Sequence, residues 1–386
     1  MFKANERTHT FKSLDAAQKS ALRITDYQIA RDRYVILSDV HKGDGTPISD
    51  DFLQNSELYI NALRYYMDND YRLVLNGDIE ECWKSKFSDV IAAHESTAFA
   101  VERDYANLGE AYYMRIYGNH DDDWADPQKV NRHLRPILGP INVYSGVMLG
   151  ERLFITHGHQ GDPHADRRAW FSRQIVRHGW RHIQHATKWK LNIAADNNLI
   201  LCNRARHLQE WGKENRTMVI AGHTHRPVFR PLSKLYLLRA VHEWLVGYQE
   251  HTSDANMCRL LPPVIEQIHQ VIQIFDDEKP NDQSLDNVPY YMNEGSCVHT
   301  NGITALEIDR GEIRLIRWDK PKEVTEKSLA PYHLNRKVYQ SGDLGEILSK
   351  INIMASLPAT THSENNMPTA LQEIGALTGL ANLMLP

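Results

Sequence analysis

Five short clusters of Asp, His or Asn beside Gly each stand directly after an apolar run, and that placement restricts the fold. The run that begins at Arg33 leads into Asp39-Val40-His41, and the run from Tyr71 into Gly77-Asp78. The run from Ala111 leads into Gly118-Asn119-His120-Asp121, that from Arg152 into His157-Gly158, and that from Thr217 into Gly222-His223-Thr224-His225. Length and β-branching read each run as a buried strand. Between them, 50–68 and roughly 89–108 have helical spacing, and Asp126-Pro127 opens another helix with Pro at a first-turn position. Alternating strands and helices predict an α/β core. A second run of strands over 288–292, 298–308 and 312–318 extends this to a mixed sheet or a two-sheet sandwich. In open α/β sheets, functional residues gather outside the carboxyl ends of the strands. Asp39, Asp78, Asn119, His157 and His223 are therefore expected to project into one crevice.

The remaining sequence sets bounds. Of 386 residues, 42% are hydrophobic and 24% charged, ordinary proportions for a globular protein with a sizeable core. A net charge of −5 argues against a generally basic nucleic-acid coat. Cys82, Cys202, Cys258 and Cys297 form no C-x-x-C pair, so neither a disulfide framework nor a thiolate zinc site is indicated. No apolar signal core precedes Lys12, and no stretch is long enough to span a bilayer. The expected location is the cytoplasm, with peripheral membrane association left open.

Carboxylate, amide oxygen and imidazole together suit Mn, Fe, Zn or Co. Asp39-x-His41 and His223-x-His225 each add a second donor two residues on. The five blocks, in this order, resemble the calcineurin-like metallophosphoesterases, and Asn293-Glu294-Gly295-Ser296 resembles the N-x-G-S segment that often follows them. The resemblance spans about 33–320, minus inserts. It implies two mixed β-sheets packed as a sandwich and flanked by helices, a four-layer αββα arrangement. It also implies two divalent metal ions, with manganese first in expectation. Asp39, His41 and His225 would hold one, Asn119, His157 and His223 the other, and Asp78 would bridge them. His120 would act beside the substrate phosphate, with Asp121 orienting it. Hydrolysis would proceed by a metal-bridging hydroxide.

The segment 163–216 holds eleven Lys/Arg against four Asp/Glu and reads as a helical cap. Arg167, Arg168, Arg173, Arg177 and Arg181 are its candidate phosphate contacts, because Arg suits bidentate recognition and stacking. Together with Gly77-Asp-Ile-Glu80, Trp83 and Gly161-Asp162, this layout looks most like the UDP-2,3-diacylglucosamine pyrophosphatase branch, although that branch often carries Arg where His120 stands. The expected substrate is a small-molecule, lipid-linked or nucleotide phosphate ester or pyrophosphate. A metal-dependent nuclease or nucleic-acid phosphatase, and a phosphoprotein phosphatase, are the competing readings. The expected organisation is an N-terminal arm (1–30), a catalytic domain (31–322) with inserts at 163–216 and 232–287, and a C-terminal tail (323–386). Residues 257–275 read as a helix broken at Pro262-Pro263.

Overall fold

The computed structural model describes residues 2–47, 50–162, 194–229, 242–243, 245–250, 252–278, 290–300, 302–320, 331–332 and 334–356. These residues divide into two compact units, 1–229 with 290–344, and 230–289 with 345–386.

The first unit is built on two mixed sheets. Its strands are β1 (Leu22–Ile24), β2 (Arg33–Leu37), β3 (Arg72–Asn76), β4 (Tyr113–Ile116), β5 (Val143–Tyr144), β6 (Val147–Leu149), β7 (Leu153–Ile155), β8 (Met218–Ile220), β9 (Tyr291–Met292), β10 (Ile303–Asp309), β11 (Glu312–Asp319) and β12 (Asn335–Asp343). The larger sheet runs β12-β11-β10-β2-β3-β4-β5 and the smaller β1-β6-β7-β8-β9. Pairing is parallel from β2 through β5 and from β7 through β9, so within each sheet these carboxyl ends emerge on one edge. All five donor clusters leave from those ends.

The period of two shows why both faces of the larger sheet are covered. Val35, Leu37, Leu73 and Leu75 share a core with helices α2 (Ser56–Asp68) and α4 (Ala98–Asn107). Their alternates Tyr34, Ile36 and Val74 are equally buried. In α2 the buried stripe Leu58, Tyr59, Ala62, Leu63, Tyr66 has helical spacing. On the smaller sheet, Met148, Phe154, Val219 and Tyr291 pack with Leu14 and Ala17 of α1 (Phe2–Lys19) and with Leu208 and Trp211 of the helix Ala194–Glu214. Asn76 Nδ2 donates to Thr156 O at 3.1 Å, tying the edge of one sheet to the edge of the other.

Several elements differ from the sequence expectation. The stretch 89–108 is two helices, α3 (Phe87–His94) and α4. Asp126 caps the next helical run by accepting from Gln128 N, but that run passes from Pro127–Lys129 into a π-helical turn at Val130–Leu134. The strand expected from 298 starts at Ile303, because the chain before it turns into the crevice, where Cys297 N donates to Asp39 O at 3.2 Å. The arm contributes α1 and the edge strand β1, and the tail contributes β12. The described part of the basic insert lies against the smaller sheet through Leu208 and Trp211, so over 204–214 its apolar stripe makes it a layer of the sandwich.

In the second unit, Ala255–Glu278 is helical straight through Pro262 and Pro263. This corrects the expected break: Leu261, Ile268 and Ile272 form one buried stripe on both sides of it, and that burial outweighs the local cost of proline. Among the described residues, no helix is long and apolar enough to cross a membrane.

Candidate metal centre

The loops that carry the donors are zipped together beyond the strand ends. Asp39 N donates to Gly77 O, His41 N to Asp78 O, Lys42 N to Ile79 O and Glu81 N to Lys42 O, all at 2.9–3.1 Å. To continue this pairing while aiming side chains inward, the chain adopts backbone that L-residues avoid. Asp39, His41, Asp78, His223 and His225 all have φ between 51° and 63°. Strain gathered on five non-glycine residues of one cleft persists only where the surroundings over-determine it. The adjoining glycines allow close approach. A Cβ on Gly118 would lie 2.1 Å from Asp78 Oδ1, and one on Gly222 2.3 Å from Ser38 Oγ and 2.6 Å from Asp39 Oδ2.

Two groups of donor atoms result. In the first, His225 Nε2 is 3.0 Å from Asp39 Oδ1 and 3.3 Å from His41 Nε2. In the second, His157 Nε2 is 3.2 Å from Asp78 Oδ2, and His223 completes a cluster within 4.8 Å. Asp78 Oδ2 is also 3.8 Å from His41 Nε2, so one carboxylate oxygen faces both groups. Its Oδ1 is held by the amide of His120 at 2.8 Å.

The donor set fits divalent cations. Asp39 Oδ1, Asn119 Oδ1 and His157 Nε2 are buried and complete no hydrogen bond, the state expected of atoms that keep a lone pair for a metal. Electrostatics point the same way. Burial alone would raise the Asp39 carboxyl, but His225 beside it holds it down at about 2. Burial likewise opposes ionisation of Asp78, and His157, His120 and His41 together keep it well below the carboxylate range. For His157, burial would favour the neutral ring, but Asp78 and Asp39 push it up to about 10. Buried anions here recruit positive charge, and metal must compete with protons for these imidazoles.

His120 sits at the rim of both groups and also lies within reach of His41 and Asp78 as a third possible donor cluster. Its ring stacks on Trp83, with centroids 4.0 Å apart at 23°. Its Nδ1 is 2.9 Å from Glu81 Oε1. Burial lowers its pKa, but Asp78 and Glu81 more than offset this, and the net shift is upward. Asp121, expected to orient His120, does not. Its carboxylate is turned into the protein, accepting from Gly118 N at 2.6 Å and Ile79 N at 2.8 Å. The carboxylate that meets His120 Nδ1 is that of Glu81, which also approaches His41 Nδ1 at 3.3 Å.

The other expected residues, and some of their neighbours, divide. The seven donors Asp39, His41, Asp78, Asn119, His157, His223 and His225 all come from loops that meet in this crevice. Arg167, Arg168, Arg173, Arg177 and Arg181 fall outside the described residues. Asp44 accepts from Thr46 N in its own loop at 3.0 Å. His159 lies beside His157, with ring centroids 5.4 Å apart. Glu294, unassigned from sequence, is buried beneath the crevice, where it accepts from Asn76 at 2.7 Å; burial pushes its carboxyl up to about 7.

A sequence model of the calcineurin-like phosphoesterase domain matches residues 33–227, half of the chain and all five clusters. The chain belongs to that family. Calcineurin-like phosphoesterases are hydrolases of phosphoric esters. No curated protein and no solved structure matches the chain.

Proposed function

We propose that this phosphoesterase uses two divalent metal ions to hydrolyse an ester or pyrophosphate bond of a small-molecule, lipid-linked or nucleotide phosphate. The observation that supports the pair is Asp78 Oδ2, which faces His157 Nε2 at 3.2 Å and His41 Nε2 at 3.8 Å. Asp39, His41 and His225 would hold one ion and Asn119, His157 and His223 the other, with Asp78 shared. Bound there, such ions polarise phosphoryl oxygens and lower the pKa of a coordinated water toward neutrality. Asn119 supplies an oxygen without charge, so the site stays positive enough to attract a phosphate.

His120 carries the proton for the leaving group. Asp78 and Glu81 favour its charged form, Glu81 fixes Nδ1, and the indole face of Trp83 accommodates a cation. A protonated Nε2 can then donate to the departing oxygen as negative charge develops. His120→Ala should lower kcat by about 10²–10⁴-fold while leaving metal content unchanged. Metal analysis of the variant checks this; loss of a metal equivalent would make His120 a ligand instead.

The reading as a whole is tested by stripping the protein with a chelator and titrating Mn back. Activity should vanish and return with two equivalents per chain. Less than one bound transition metal in active protein would sink it. With Mn restored, a panel of aryl mono- and diesters, UDP-linked sugars and single-stranded DNA then sorts the substrate. Preference for a nucleoside diphosphate ester would match the pyrophosphatase-like layout, and preference for the polymer would assign a nuclease instead.

A further inference from the structure

The two imidazoles of the second donor group are held by their outer nitrogens in different ways. His157 Nδ1 lies 2.8 Å from Asn76 O, so that nitrogen carries the proton and Nε2 faces Asp78. His223 is turned the other way round: its Nε2 lies 2.9 Å from Asp162 Oδ2. A carboxylate accepts, so Nε2 is the donor there and Nδ1 is left as the lone-pair nitrogen. The His223 backbone is fixed separately, its amide donating to Asp39 Oδ2 at 3.1 Å.

Asp162 stands five residues after His157, and the backbone between them is gripped from outside the crevice. Arg204, on the helix Ala194–Glu214, is buried and donates from Nε to Gly158 O at 2.7 Å, from its second terminal nitrogen to Gln160 O, and from the first to Thr10 Oγ1 at 3.1 Å. Thr10 belongs to α1, and its backbone closes over Gly161, where an added Cβ would lie 2.6 Å from Thr10 Cα. Gln160 turns back to receive Gly158 N at 3.0 Å and to donate to Thr156 Oγ1 at 2.9 Å. A buried guanidinium spent on loop carbonyls is an expensive way to shape a loop unless the loop's geometry matters.

We propose that Asp162 is a positioning residue that locks His223 in the tautomer and orientation needed to hold the second metal through Nδ1, and that Arg204 with Thr10 of α1 holds Asp162 in place. This gives α1 and the helix Ala194–Glu214 a task at the centre besides packing on the sheet. Outer partners of this kind raise ligand basicity and fix ring orientation, and their removal commonly costs 10–100-fold in metal affinity.

The inference rests on the two-metal reading, and equilibrium dialysis with Mn at fixed pH separates the two. If wild-type protein binds no second equivalent, the two-metal reading itself fails. If it binds two, Asp162→Ala should keep one equivalent near wild-type affinity, at Asp39, His41 and His225, and weaken the other by about 10–100-fold. Asp162→Asn should fall between them, because its amide oxygen still accepts from Nε2 but carries no charge. Arg204→Lys should also weaken only the second equivalent, since one ammonium cannot span both carbonyls. Two unchanged equivalents in Asp162→Ala would overturn the proposal, as would equal weakening of both, which would mean a general loss of structure. Should Asp162→Ala not fold, Asp162→Asn decides: unchanged second-site affinity there overturns the proposal.

Discussion

Asp78→Asn should fold normally and lose at least ~10³-fold in kcat/KM, about 4 kcal/mol of transition-state stabilisation. The substitution is nearly isosteric. An Asn Oδ1 still accepts from His120 N, which Asp78 Oδ1 does at 2.8 Å, so the loop that carries Asn119 and His120 keeps its anchor. What disappears is the charge on the oxygen that faces both imidazole groups. The Asn nitrogen that takes its place is a donor, and it would confront His157 Nε2 and His41 Nε2 with hydrogens where a cation should sit. Both donor groups are affected at once, which is why the expected effect exceeds that of any single imidazole. Thermal melting should remain close to wild type, and a chelator should make little difference to the variant. Activity within about tenfold of wild type, measured on an aryl phosphate with saturating Mn, would remove Asp78 from the shared position.

The sequence shows the site's donors more clearly than it shows their partners. Five donor clusters could be read because each follows an apolar run, and a strand end fixes where the next residues point. Glu81 escaped because it stands beside Glu80, and local pattern does not say which of two neighbouring carboxylates turns outward. In the structure they diverge: Glu80 enters the core behind the loops, and Glu81 reaches His41 and His120. Asp121 misled through adjacency. It follows His120 in the chain, but its carboxylate accepts from the amides of Gly118 and Ile79. Strand β12 carries Lys337, Gln340 and Ser341 and is mostly exposed at the sheet edge, so no apolar alternation announces it. The task proposed for α1 could not be read at all, since it depends on Arg204 meeting Thr10 across 194 residues of chain.

Behind the donor loops, Glu80→Gln should destabilise the protein by about 3–5 kcal/mol, seen as a fall in Tm of roughly 10 °C. Lys42, Glu80, Glu102 and Arg115 are all fully buried. Lys42 Nζ is 2.6 Å from Glu102 and 3.2 Å from Glu80. Arg115 pairs with Glu80 and lies 3.3 Å from Glu102. Two cations balance two anions, and Trp124 Nε1, Tyr59 and Tyr113 donate to the carboxylates as well. Burial would push the Glu80 carboxyl up, but Arg115 and Lys42 bring it below its ordinary range. Neutralising Glu80 leaves two buried cations sharing one carboxylate, the case in which a broken buried pair costs most. The partner change Lys42→Met alone should be similarly harmful. Together the two changes restore a balanced Arg115–Glu102 pair, so the double variant should be more stable than the sum of the single effects by at least ~1 kcal/mol in a denaturation cycle. Strict additivity, or a Glu80→Gln variant within about 1 kcal/mol of wild type, would show that the four charges are not coupled. The location gives the coupling a use. Lys42 follows His41 and Glu80 follows Asp78 by two residues, and the two form a parallel bridge just beyond the strands. A balanced buried quartet pulls those two loops onto one strand and one helix, and so sets the spacing between Asp78 and His41.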